Sequence, residues 1–119
     1  YTTLFRSGGV WLLLGTGVFG SIAPFGFLSG TNGYQKQPSG IIIQWGQAST
    51  PSSGYGVVTL PIAFPGVNYN VSGNVISSTS NNTTLLVNLA GSPSSFQAAC
   101  ANGASAYALV TFNWVAIGR

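Results

Sequence analysis

Val67-Asn68-Tyr69-Asn70-Val71-Ser72-Gly73-Asn74-Val75-Ile76 alternates in polarity along nearly its whole length. Val67, Tyr69, Val71, Gly73 and Val75 fall on one face, and Asn68, Asn70, Ser72, Asn74 and Ile76 on the other. A period of two puts successive side chains on opposite sides of an extended chain, so this stretch predicts a half-buried strand with an asparagine ladder outside. The segment 84–89 alternates in the same way. Upstream, Ile41-Ile42-Ile43-Gln44-Trp45 is a β-branched run opened by Pro38-Ser39-Gly40 and closed by Gly46, which predicts another strand. A short strand is expected over 56–60, stopped by Pro61. Pro61 and Pro65 flank Ile62-Ala63-Phe64 and point to an edge or bulge, because proline cannot donate to a sheet ladder. The last and longest strand is expected over 105–117. Val110, Phe112, Trp114 and Ala116 share one of its faces, and Leu109, Thr111, Asn113, Val115 and Ile117 the other. The second face is also largely apolar, so this strand is expected to be covered on both sides.

The links are turn-rich: Ser49-Thr50-Pro51-Ser52-Ser53-Gly54, Ser77-Ser78-Thr79-Ser80-Asn81-Asn82, Gly91-Ser92-Pro93-Ser94-Ser95 and Asn102-Gly103. Strands with such links at roughly ten-residue spacing read as an all-β fold, an antiparallel β-sandwich or barrel. Residues 1–33 differ from this body. Glycines at 8, 9, 15, 17, 20, 26, 30 and 33 leave no room for a helix of ordinary length, since each interior glycine costs about 1 kcal/mol relative to alanine. Short strands and turns are expected there, Val10 to Leu14 among them. The chain therefore divides into a Gly-rich neck, 1–33, and a β-body, 34–119. It opens at Tyr1 without Met, which reads as the C-terminal piece of something longer or as a processed chain. The run 10–19 falls well short of the roughly 20 apolar residues of a membrane span, and no basic region precedes it.

Among 119 residues there are three Lys or Arg and no Asp, Glu or His. Charged residues make up 3% of the chain, against about 25% in an ordinary soluble domain. No carboxylate or imidazole exists to serve as general acid or base, so neither a Ser-His-Asp triad nor a glycosidase pair can be built. A carboxylate cage or a zinc site is excluded for the same reason, Cys100 being the one cysteine. The sequence thus predicts no enzyme, no metal and no cofactor. Arg6, Lys36 and Arg119 are scattered, so no basic stripe marks a nucleic-acid site. With hardly any side chain titrating between about pH 2 and pH 8, stability is expected to be flat across that range.

Three segments carry a resemblance. Gly33-Tyr34-Gln35-Lys36-Gln37-Pro38-Ser39-Gly40-Ile41-Ile42-Ile43-Gln44-Trp45-Gly46 is followed by Thr59-Leu60-Pro61-Ile62-Ala63-Phe64-Pro65 and, at the terminus, by Phe112-Asn113-Trp114-Val115-Ala116-Ile117-Gly118. In this order they resemble the C-terminal receptor-binding tip of tailed-bacteriophage tail fibres. The resemblance covers 33–119 and leaves the neck unmatched. It implies an intertwined homotrimer at the distal end of a virion's tail fibre, with a fibre-assembly chaperone as a further partner. It also implies adsorption to a bacterial surface glycan, such as lipopolysaccharide, or to an outer-membrane protein. A different group of fibre tips binds iron through His-x-His motifs, which this chain lacks. The alternative is a structural trimerisation cap, with receptor binding elsewhere.

The shared segments are expected to serve packing, with Ile41, Ile43, Trp45, Phe64, Phe112 and Trp114 in the core or the trimer interface. Receptor contact is expected on loops, which can vary without unfolding a scaffold. Tyr, Ser and Asn supply contact area and adaptable hydrogen bonds, the vocabulary of binding loops. The candidates are Ser52, Ser53 and Tyr55; Thr79, Ser80, Asn81, Asn82 and Thr83; Ser95, Phe96 and Gln97; and Asn102 and Tyr107. A weak glycan site repeated in a trimer gains avidity without any new contact.

Overall fold

The structure, a computed structural model, describes residues 3–7, 10–14, 26–77, 83–89, 91–103 and 106–119. Its strands are β1 (Thr3–Ser7), β2 (Val10–Leu14), β3 (Phe27–Leu28), β4 (Gly33–Lys36), β5 (Ile42–Thr50), β6 (Gly56–Thr59), β7 (Tyr69–Ser77), β8 (Thr83–Asn88), β9 (Ser95–Asn102) and β10 (Val110–Gly118). β1 and β2 pair as an antiparallel hairpin. The body is two antiparallel sheets, one of order β3-β4-β5-β10-β7 and one of order β6-β9-β8. The expected all-β antiparallel fold is therefore the observed one. β3 and β4 bring residues 27–36 onto the edge of the larger sheet.

The core lies between the two sheets. Ile42, Phe112, Trp114, Ala116 and Tyr69 come from the larger sheet, Val58, Phe96 and Ala98 from the smaller, and Leu60 and Phe64 from the β6–β7 connection. Phe96 meets Trp114 edge-on across the layers, with ring centroids 5.4 Å apart, and Phe64 stacks on Tyr69 at 4.6 Å. Aromatic pairs in these arrangements add to the stabilisation that burial alone provides.

The residues expected in the core or the trimer interface divide by their place in the sheet. The inward positions of β5 are Ile42, Gln44 and Gly46, whereas Ile41 is 38% exposed and Ile43 and Trp45 are half-buried on the outward face. These three are not core residues of a single chain. Phe64, Phe112 and Trp114 are buried in the core. One expectation about β5 is corrected: Gly46 lies inside the strand and does not end it. A Cβ there would come within 2.5 Å of the Trp114 ring and 2.3 Å of Asn32 Oδ1, so the glycine serves close packing rather than a turn. The same Asn32 oxygen accepts a bond from Gln47 N–H at 2.9 Å.

Buried polar groups fasten the connections to the sheets. Gln44 is fully buried and donates through Nε2 to Ile62 O at 2.9 Å, while its Oε1 accepts from Ile62 N–H at 3.0 Å. Thr50 Oγ1 donates to Ala108 O at 2.7 Å and accepts from Val110 N–H at 3.2 Å. Tyr69 Oη donates towards Ser92 O and Ser95 O, at 2.9 and 2.7 Å. Burial pushes the Tyr69 hydroxyl above its ordinary pKa of 10.0, because the phenolate loses hydration. A raised folded-state value contributes stability that is complete below the unfolded value and is lost as pH rises through the folded one. The melting temperature is thus expected to stay level from about pH 3 to about pH 8 and to fall above about pH 10. Tyr69→Phe is expected to lessen the alkaline fall while costing about 1 kcal/mol at neutral pH from the lost hydroxyl bonds. Thermal melts across pH check both.

Candidate functional site

The strand registers sort the loops into two ends. Thr50 pairs with Val110 and Thr111 with Ser77, while Ile42 pairs with Gly118 and Gly118 with Tyr69. Thr83 pairs with Asn102. The Thr50 end, the loop end, is therefore where β5, β7 and β9 finish and β6, β8 and β10 begin. The Ile42 end, the root end, holds the turn 37–41, the connection 89–94 and the terminal Arg119. The chain also enters the body at the root end, since Phe27 pairs with Gln35 and Gln35 with Ile43. The nine residues of β5 separate the ends, at about 3.3 Å per residue roughly 26 Å.

Two of the expected loops meet at the loop end. The rings of Tyr55 and Tyr107 lie 6.3 Å apart, edge to face at 62°, and are 44% and 43% exposed. Ser52 and Ser53 are exposed in the same connection as Tyr55. Tyr107 forms a bridge with Ala101 of β9, and its neighbours are held tightly. Asn102 Oδ1 accepts from Ala106 N–H at 3.1 Å, Asn102 N–H donates to Ala106 O at 2.9 Å, and Ala108 N–H donates to Cys100 O at 2.8 Å. With Thr50 bonded to Ala108 and Val110, the backbone on both sides of Tyr107 is anchored. Asn102 is half-buried and shapes this turn. Thr83 is half-buried at the start of β8, opposite Asn102. Thr79, Ser80, Asn81 and Asn82 lie outside the described residues.

Ser95, Phe96 and Gln97 are elsewhere. They open β9 at its root end, and Ser95 pairs with Thr59. Phe96 is fully buried in the core, so it is not a surface contact. Alternation along β9 turns its ring inward, and the expectation of a loop there is corrected. Ser95 and Gln97 are half-buried; Ser95 Oγ donates to Ser92 Oγ at 3.0 Å, and Gln97 Oε1 accepts from Asn88 Nδ2 at 3.4 Å.

Sequence reasoning overlooked Val57 and Leu109. They stand two residues beyond Tyr55 and Tyr107 and are 67% and 69% exposed. Period-two spacing from each tyrosine is the signal that marks them. The outward face of the larger sheet is a second feature. The register aligns Phe27, Gln35, Ile43 and Ile117 in one row and Trp45 with Val115 in the next. Phe27, Val115 and Ile117 are 53%, 41% and 46% exposed, so in one chain the second face of β10 is uncovered, contrary to expectation. Towards the loop end the same face turns polar, with Gln47 beside Asn113 and Ser49 beside Thr111.

Residues 36–119 match the family described as "tail fiber protein gp53-like, C-terminal". Among solved structures, an N-truncated R2-type pyocin tail fibre is similar at 25% identity with a TM-score of 0.63, over 85% of this chain and 40% of that one. An R2 pyocin fibre of P. aeruginosa gives a TM-score of 0.62 at 25% identity, again over 85% of this chain but 27% of its own. An N-truncated R1-type pyocin tail fibre shares the fold at 20% identity and a TM-score of 0.59, over 85% of this chain and 90% of that one. The chain thus spans less than half the length of the R2 fibres it matches. No curated protein sequence matches it.

Proposed function

Because this chain belongs to the gp53-like C-terminal family of tail-fibre proteins, we propose that its body is the receptor-binding end of a fibre that attaches to the bacterial surface. The observation that carries the reading is the opposition of the two ends. The chain enters at the root end, and the exposed Ser52, Ser53, Tyr55 and Tyr107 stand together at the other. A fibre continuing from the root end would present the loop end outward. Tyr55 and Tyr107 give that end exposed aromatic area on a backbone anchored by Asn102 and Thr50, and rigid aromatic anchors carry much of the energy at binding surfaces.

The fibre is read as a homotrimer in which copies cover the apolar half of the outward face around Ile43, Trp45, Val115 and Ile117. The alternative function, a cap that only holds three chains together, draws on that same apolar half. Exchange of residues 52–55 and 79–83 for those of a fibre with another host separates the two. A changed host range with unchanged oligomeric mass is expected. Retention of the original host range would contradict receptor contact by these loops.

A further inference from the structure

Resting on that reading, we propose that the ligand of the loop end is an uncharged glycan, held by stacking on Tyr55 and Tyr107 and by the hydroxyls of Ser52 and Ser53, without an ion pair. Between Lys36 and Arg119 the chain has no charged side chain at all. Both of these cations sit at the root end: Lys36 pairs with Ile42, and Arg119 follows Gly118, which also pairs with Ile42. The roughly 26 Å to the loop end is about three Debye lengths at physiological salt, so their field does not reach it. A phosphate or uronate docked beside Tyr107 would shed water and gain no charge-assisted bond in return. Sites built for such groups use Arg forks or lysines, and the loop end has neither.

What the loop end does offer suits a neutral sugar. The two rings meet at 62°, giving non-parallel apolar surfaces for the C–H faces of a pyranose. Val57 and Leu109 extend that ground, and Ser52 and Ser53 add donors and acceptors beside it. A protein partner fits less well. Protein interfaces of standard size bury about 800 Å² per side and lean on Arg as well as aromatic anchors. The hydroxyl-rich rim and the small aromatic corner instead match a short stretch of polysaccharide, whose repeats let several copies of the site engage one strand.

The test is an array of bacterial surface polysaccharides, neutral members beside members bearing uronic acid or phosphate, probed with the labelled full chain at about 20 mM and about 500 mM NaCl. Signal is expected on neutral members, changing less than about twofold between the two salts. Tyr55→Ala and Tyr107→Ala are expected to lower it at least tenfold, by about 1.4 kcal/mol, while Tyr107→Phe stays within about twofold. Both alanine variants are expected to melt within a few degrees of the parent, since the rings are half exposed. Signal confined to acidic members, or lost about tenfold at high salt, would overturn the uncharged class while leaving receptor binding at this end in place. Full binding by the alanine variants, or silence on every polysaccharide, would overturn the glycan site itself.

Discussion

Gln44→Glu is expected to be nearly silent near pH 3 and to destabilise the body by about 3 kcal/mol or more at pH 7. The wild-type amide is fully buried and answers both backbone groups of Ile62, the N–H with Oε1 and the carbonyl with Nε2. A protonated carboxyl can do the same, its O–H donating to the Ile62 carbonyl and its other oxygen accepting from the N–H. An ionised carboxylate cannot. It would have no proton for the carbonyl, no cation beside it and little water, so burial would raise its pKa above the unfolded value of about 4.3. A raised folded-state pKa means stability complete below the unfolded value and lost as pH rises through the folded one, at about 1.36 kcal/mol per pH unit over that interval. The parent chain has no Asp, Glu or His to blur the measurement. Urea unfolding of both proteins across pH checks it. An equal loss at both ends of the range would show that the paired amide is not what fastens the β6–β7 connection.

Phe96→Ala is expected to cost about 3–5 kcal/mol, a large share of the roughly 5–15 kcal/mol that holds an ordinary domain folded. Phe96 is fully buried and meets Trp114 edge-on at 5.4 Å, so its loss removes a contact between the two sheets and leaves a cavity beneath Trp114. Val57→Ala, one strand away but 67% exposed, is expected to change stability by no more than about 0.5 kcal/mol. The pair of denaturation midpoints separates a core position from a surface one within the same sheet. A loss below about 1 kcal/mol for Phe96→Ala would place that ring outside the core.

These two residues also show where the sequence was legible and where it was not. The stretch 67–76 carries strong period-two contrast, and the structure buries Tyr69 while exposing Asn70, Ser72 and Asn74 as that contrast requires. Ile41-Ile42-Ile43 has no such contrast, so periodicity gave its type but not its phase. The phase was hidden further because an inward position holds the polar Gln44, whose burial makes sense only once Ile62 lies opposite. β9 was missed for a related reason. Ala98-Ala99-Cys100-Ala101 is uniformly small, without alternation or strong strand propensity, so in the sequence Phe96 groups with the preceding Ser-rich turn. The composition of the candidate loops was plain in the sequence, but the grouping of Tyr55 with Tyr107 was not. Tyr55 and Tyr107 are far apart in the chain, and only the pairing of β6 with β9, with the Ala101–Tyr107 bridge, sets them side by side.

On the proposed function the loop end, not the root end, meets the bacterium. This is tested most directly by attaching a bulky polymer at one end or the other of an otherwise complete fibre. Ser53→Cys and Ser39→Cys provide exposed handles at the loop end and the root end, and the native Cys100 is buried. The conjugate at position 53 is expected to lose adsorption to host cells, and the conjugate at position 39 to keep it. Adsorption that survives at position 53 and fails at position 39 would place receptor contact at the root end instead.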